Sequence, residues 1–185
     1  SKAVFYQGTF NLTDTVSLTA GARYTEEDKR AYKIAQNSTS VGGLGNPYNN
    51  PLYDALSAAL FSSYAHEFKD EQRSTKQFIP SVNMEWNRSE DSMFYISYSE
   101  GFKSGGFNAT DSQLPLFTAD GVQPNMPGPG YEFDDENAES VEIGGKHTLM
   151  DGEMTLNWAI YDSTYENQQV STFVGLGFVV TNAAS

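Results

Sequence analysis

The chain has 185 residues, enough for one domain with a core, and no cysteine, so neither a disulfide framework nor a cysteine-ligated metal site is available. A formal net charge of −13 gives no basic footprint for nucleic acid, and acidity of this kind reads as solubility. No basic segment and apolar run open the sequence, so no signal peptide is expected, and no unbroken apolar run of about 18 residues offers a transmembrane helix.

Transmembrane strands would escape that test, because they need only about 9–11 residues and alternate in character. The opening residues do alternate: Val4, Tyr6, Gly8 and Phe10 on one side, Phe5, Gln7, Thr9 and Asn11 on the other. A polar turn follows at Asn11 to Asp14. The alternation restarts with Val16, Leu18, Ala20, Ala22 and Tyr24 against Ser17, Thr19, Gly21, Arg23 and Thr25. Only the first set suits hydrocarbon; the second, with Arg23, wants water or an ion pair. A half-buried soluble sheet would alternate in the same way.

The pattern fades after Tyr32 into a Gly-, Asn- and Ser-rich connection. Within it a helix is expected from Pro51 to about Glu67, with Asn50 as N-cap and Leu52, Leu56, Leu60 and Tyr64 as an apolar stripe. A third strand is expected from Thr75, with Phe78, Pro80, Val82, Met84 and Trp86 on its apolar side. Pro80 has no ladder donor, so a bulge or unpaired position is expected there. Residues 87–91 form a second short turn.

The fourth strand opens the stretch MFYISYSEGFKSGGFN, Met93 to Asn108. Phe94, Ile96 and Tyr98 alternate with Tyr95, Ser97 and Ser99, and the glycine-rich second half must leave the sheet. A long irregular connection with four prolines follows, over 104–135. A fifth strand spans Glu136 to Leu149, and Asp151-Gly152 signals a tight hairpin. The sixth strand sends Met154, Leu156, Trp158 and Ile160 to the apolar side. Short turns at 11–15, 87–91 and 150–153 thus alternate with long connections, sorting tight turns to one end and long loops to the other.

No catalytic constellation emerges. His66-Glu67 begins an H-E-x-x-H motif that Asp70 breaks, Lys103-Ser104 lacks phosphate-loop spacing, and no G-x-S-x-G elbow exists. The run Asp134-Asp135-Glu136 lacks EF-hand spacing and reads as a solvated acidic face. His147 is expected on an outward strand face near a membrane interface.

Several stretches resemble one family, the TonB-dependent outer-membrane receptors of Gram-negative bacteria. The Y-x-S-Y-S-x-G-F-K-S-G-G-F-N run from Tyr95 to Asn108 carries the resemblance, supported by F-x-Q-x-T-x-N-L-T-D from Phe5 and S-L-T-A-G-x-R-Y-T from Ser17. The resemblance implies an all-β fold: about six strands of an antiparallel transmembrane barrel of about 22 strands, with long extracellular loops. Residues 1–185 are then expected to be a partial barrel domain, with the plug and the remaining strands absent.

The resemblance further implies import of a scarce nutrient, foremost a ferric siderophore, with sugars or cobalamin as alternatives. It implies energy from the TonB complex and contact with outer-membrane lipid and lipopolysaccharide. No enzyme activity, cofactor or metal site is expected. Arg23, Tyr95 and Lys103 are lumen or rim candidates for ligand contact, and Phe107 and Asn108 are loop candidates. Ion pairing of Arg23 and Lys103 with Glu85, Glu100 or Glu142 is the competing structural role. The rival from another class is a soluble all-β binding or adhesion module, whose apolar faces would bury each other. A small structural barrel closing by oligomerisation is a third reading.

Overall fold

The computed structural model describes residues 1–35, 66–109, 116–118, 121–123, 131–173 and 178–183. Its main element is one antiparallel sheet of six strands. Four come in sequence, β1 (Lys2–Asn11), β2 (Val16–Ala35), β3 (His66–Ser89) and β4 (Ser92–Lys103). Small elements follow: β5 (Gly106–Phe107), β6 (Leu116–Thr118), β7 (Gly121–Gln123) and β8 (Glu132–Phe133). The main sheet resumes with β9 (Glu136–Leu149) and β10 (Met154–Glu166), and a hairpin of β11 (Gln169–Phe173) and β12 (Phe178–Asn182) completes the order. The sheet runs β1-β2-β3-β4-β9-β10 and does not close, while β5 pairs β8, β6 pairs β7 and β11 pairs β12.

The register turns the alternation into two chemically distinct faces. One row across all six strands reads Phe10, Leu18, Met84, Ile96, Ile143, Ile160. Five of these six are exposed, Ile160 at 73%. On the opposite face the row Gln7, Gly21, Ser81, Ser99, Ser140, Ser163 lies beside Thr9, Thr19, Asn83, Ser97, Glu142, Tyr161. Among the described residues only Tyr131 and Val179 are buried apolar groups, so no second layer covers the apolar face as a sandwich requires. An uncovered apolar belt of this width is stable only against lipid.

The short turns gather at one end. Asn87 N–H donates to Thr15 O and Thr148 N–H to Asp91 O, both at 2.8 Å, linking neighbouring strand ends. The Asp-Gly turn has four residues, 150–153, with Met150, Asp151 and Gly152 at φ of 54, 53 and 97°. Just inside this end an aromatic cluster sits on the apolar face. Trp86 stacks on Phe94 at 5.7 Å, and Phe94 meets the edge of His147 at 5.0 Å. Trp158 Nε1 donates to His147 Nε2 at 3.1 Å, leaving Nδ1–H to bond the Ser92 hydroxyl at 2.9 Å. Aromatics bonded at their polar ends in this position form an interfacial girdle.

Three expectations are corrected. β2 runs to Ala35 rather than Tyr32, and β3 begins at His66 rather than Thr75. Before Ser81, β3 pairs with β2 alone among the described residues, and the two strands run on as a ribbon extension with a bulge where Asp70 takes φ 55°. At 24 residues and about 3.4 Å per residue, β3 spans roughly 80 Å, far more than an apolar band of about 25 Å. Second, His66 and Glu67 are strand residues; the remainder of the expected helix lies outside the described residues. Third, the connections at 104–135 and 166–180 are not wholly irregular, since they carry β5 to β8 and the β11–β12 hairpin. Pro80 keeps register with Ala22, and the β3–β4 ladder ends one residue away at Ser81↔Ser99, as its missing N–H leads one to expect.

Candidate functional site

The polar face and the end carrying the long connections form the surface on which a ligand could act. Strand alternation places Arg23, Thr25, Gln77, Ile79, Ser81, Tyr95, Ser97, Ser99 and Glu142 on that face. Hydrogen bonds run along it between neighbouring strands. The Thr9 and Thr19 hydroxyls lie 2.9 Å apart, as do those of Ser140 and Ser163, and within β3 Asn83 donates to Glu85 at 2.8 Å. Tyr95 lies flat across Gly144 and donates its hydroxyl to Glu142. A Cβ at Gly144 would stand 2.5 Å from the Tyr95 ring. Gly144→Ala should therefore push the ring off its floor and cost about 1–3 kcal/mol of overpacking, read from the urea midpoint of the barrel in lipid vesicles.

Arg23 is exposed between Phe5 and Ile79 of the flanking strands, and its Nε donates to Thr25 Oγ1 at 3.2 Å. Lys103, at the end of β4, is exposed, and its carbonyl accepts from Gln169 at 3.2 Å. Neither forms the expected ion pair. Glu85, Glu100 and Glu142 accept instead from the uncharged donors Asn83, Tyr98 and Tyr95. The last two residues of the glycine-rich stretch turn inward: Phe107 packs on Tyr131 at 5.4 Å, and Asn108 is 4% exposed. The structure thus leaves Arg23 and Lys103 open, half-covers Tyr95 and Phe107, and buries Asn108.

A network that the sequence did not suggest lies at the rim. Arg73, on the inner face of the extension, donates from Nη1 to Glu132 at 2.6 Å and Asp134 at 3.2 Å, and from Nη2 to Asp135 at 3.1 Å. Asp135 also accepts from Thr75 at 3.1 Å and from Gly105 N–H at 2.6 Å. Lys29 donates to Gly105 O at 2.6 Å. The acidic run expected to be a solvated face is half inside this knot, with the Asp135 side chain 16% exposed. Two sequence signals pointed near it, the acidic run and the paired glycines, but their common partner Arg73 lies 62 residues before Asp135.

Burial works against the charge of both ions and is outweighed in both. For Arg73 the bonds from Glu132, Asp135 and Asp134 hold its pKa above the ordinary value. For Asp135 the Gly105 N–H, Thr75 and Arg73 hold it below the ordinary 3.8. A carboxylate depressed by folding stabilises fully above its unfolded pKa and loses that contribution as pH falls through the folded one. The rim should accordingly hold at neutral pH and loosen only below about pH 4, seen as protease cleavage within 104–135 while the barrel stays intact. Nearby, burial lowers Lys33 to about 8, and its Nζ lies 5.6 Å from the Tyr131 ring centroid. Among the described residues no cluster of His, Asp or Glu could hold a metal ion.

The sequence matches the family model described as "TonB dependent receptor-like, beta-barrel" over residues 1–185. Among curated protein sequences nothing matches it. The fold is similar to that of the ferric yersiniabactin uptake receptor FyuA from Yersinia pestis, with a TM-score of 0.60 and 17% identity, covering 91% of this chain and 20% of that one. It is similar also to a double mutant of the Serratia marcescens hemophore receptor HasR in complex with its hemophore HasA and heme, with a TM-score of 0.59 and 14% identity, covering 99% of this chain and 29% of that one. A weaker likeness is to the alcaligin outer-membrane receptor FauA from Bordetella pertussis, at a TM-score of 0.47 and 14% identity, covering 97% and 24%. The chain therefore spans less than a third of the length of the solved receptors it resembles.

Proposed function

Because the chain belongs to the TonB-dependent receptor family, through its β-barrel domain, we propose that it forms part of the wall of an outer-membrane receptor importing a ferric siderophore. Members of the family are transporters, not enzymes. The observation that carries the reading is the single sheet with an uncovered apolar belt on one face and a largely polar wall on the other. In this reading residues 1–185 contribute about six of about 22 strands. The rest of the receptor supplies the plug and the contact with TonB, and the apolar belt meets outer-membrane lipid and lipopolysaccharide.

The polar wall gives the cargo a path of hydroxyls and amides once the plug rearranges. Arg23 and Lys103 are the proposed ligand contacts, because both are exposed cations without a carboxylate partner among the described residues, on a chain of net charge −13. A ferric siderophore with carboxylate or catecholate oxygens would supply the acceptors. Tyr95 presents its ring to the lumen, Phe107 contributes from the rim, and the buried Asn108 holds the rim from within.

The test uses the full-length receptor purified from outer membranes, titrated with ferric siderophores, heme, cobalamin and oligosaccharides with tryptophan fluorescence as readout. Saturable binding of one ferric siderophore is expected, weakened roughly tenfold by Arg23→Ala, the effect of losing one charge-assisted bond of about 1.5 kcal/mol. Binding of cobalamin or a sugar alone would keep the receptor and replace the cargo. A protein soluble without detergent would sink the proposal.

A further inference from the structure

Two residues of the glycine-rich stretch sit where three separate connections meet. A Cβ at Gly105 would collide with the Phe133 carbonyl oxygen and lie 2.8 Å from both Cζ and Nε of Arg73. Gly105 is thus pressed between the β8 segment and the β2–β3 extension, with its N–H given to Asp135 and its carbonyl to Lys29. The first of these obstacles is backbone, which cannot swing aside. The Nε of Arg73, buried in this contact, has no hydrogen-bond partner, which shows how closely the guanidinium is packed there.

Asn108 makes the connection to the third element. Its Nδ2 donates to Val180 O and its Oδ1 accepts from Val180 N–H, both at 2.8 Å, so the side-chain amide pairs with β12 as a strand neighbour would. Its own N–H donates to Tyr131 O at 2.8 Å. Asn182 ties the base of the same hairpin, donating to Asp134 O and Asn167 O while its Oδ1 accepts Asp134 N–H at 2.7 Å.

We infer that Gly105 and Asn108 are positioning residues that bind the β2–β3 extension, the two ends of the 104–135 connection (104–109 and 131–135) and the β11–β12 hairpin into one rim body. Displacement of one connection then carries the other two with it. Asn108 acts on a ligand by holding the rim in place rather than by touching it. The inference rests on the receptor reading only in placing this rim outside the cell.

The experiment uses the full-length receptor in lipid, with nitroxides at Gln72→Cys on the extension and Ser171→Cys on the hairpin; this chain adds no cysteine of its own. Parent protein should give one narrow interspin distance. Asn108→Ala combined with Asn182→Ala should lose the narrow peak, and so should Gly105→Ala. Asn108→Asp in the Asn182→Ala background keeps an acceptor for Val180 N–H and should restore much of it, which a general loss of packing would not allow. A narrow peak surviving in both the double variant and Gly105→Ala, with the barrel still heat-modifiable on gels, overturns the inference. Should the double variant not fold, Gly105→Ala and Asn108→Ala are read alone with the same criterion. Failure of the receptor reading shows separately, as absence of nutrient binding with the distances unchanged.

Discussion

Ile96→Arg is expected to lower the stability of the barrel in lipid by about 2–4 kcal/mol, the cost of an arginine on the lipid face near the bilayer midplane. Ile96 stands in the middle of the apolar row, between Met84 and Ile143, and all three are exposed. Its neighbour Ser97 points the other way, between Asn83 and Glu142. Ser97→Arg should therefore cost far less, because water and the Glu142 carboxylate both receive the guanidinium. The comparison is read from the urea midpoints of the two variants refolded into vesicles. Equal losses at the two positions would mean that the faces are not divided between lipid and water.

The second large effect concerns the rim. Arg73→Ala removes the guanidinium that bonds Glu132, Asp134 and Asp135, and leaves Asp135 largely buried without that ionic partner. Breaking a buried pair from one side costs roughly 3–5 kcal/mol, of which this rim position, with Gly105 N–H and Thr75 still bonded to Asp135, should show about 3. The loss is local. Limited proteolysis should cut within 104–135 in the variant at concentrations that spare the parent, while the heat-modifiable barrel band is unchanged. Unaltered protease resistance would show that the other ties hold the rim alone.

What could be read from the sequence was set by whether a segment has a lipid face. Lys2–Asn11 and Glu136–Leu149 alternate cleanly, and both strands start and stop where that alternation predicts. The β2–β3 extension is not legible beyond Tyr32 and before Thr75 because polar residues fill odd and even positions alike, as in Glu67, Lys69, Asp70, Glu71, Gln72 and Arg73. Water on both sides leaves no period to detect. Arg23 was placed correctly on the polar face, but its expected ion pairs required distances that only the register supplies. The rim depended on contacts between residues 62 and 72 positions apart, which no local pattern announces. The family-like run from Tyr95 to Asn108 contains both Gly105 and Asn108, and the structure supplies the physical reason for them.

The most direct test of the face assignment is a nitroxide scan of residues 94–99, one label at a time, on the full-length receptor in a bilayer. Accessibility to oxygen and to a water-soluble nickel chelate would be compared at each position. Strict alternation is expected, with oxygen favoured at 94, 96 and 98 and the chelate favoured at 95, 97 and 99. Uniform chelate access along the strand, or protection of both faces from oxygen and chelate alike, would contradict a wall between lipid and lumen and return the sheet to a soluble fold.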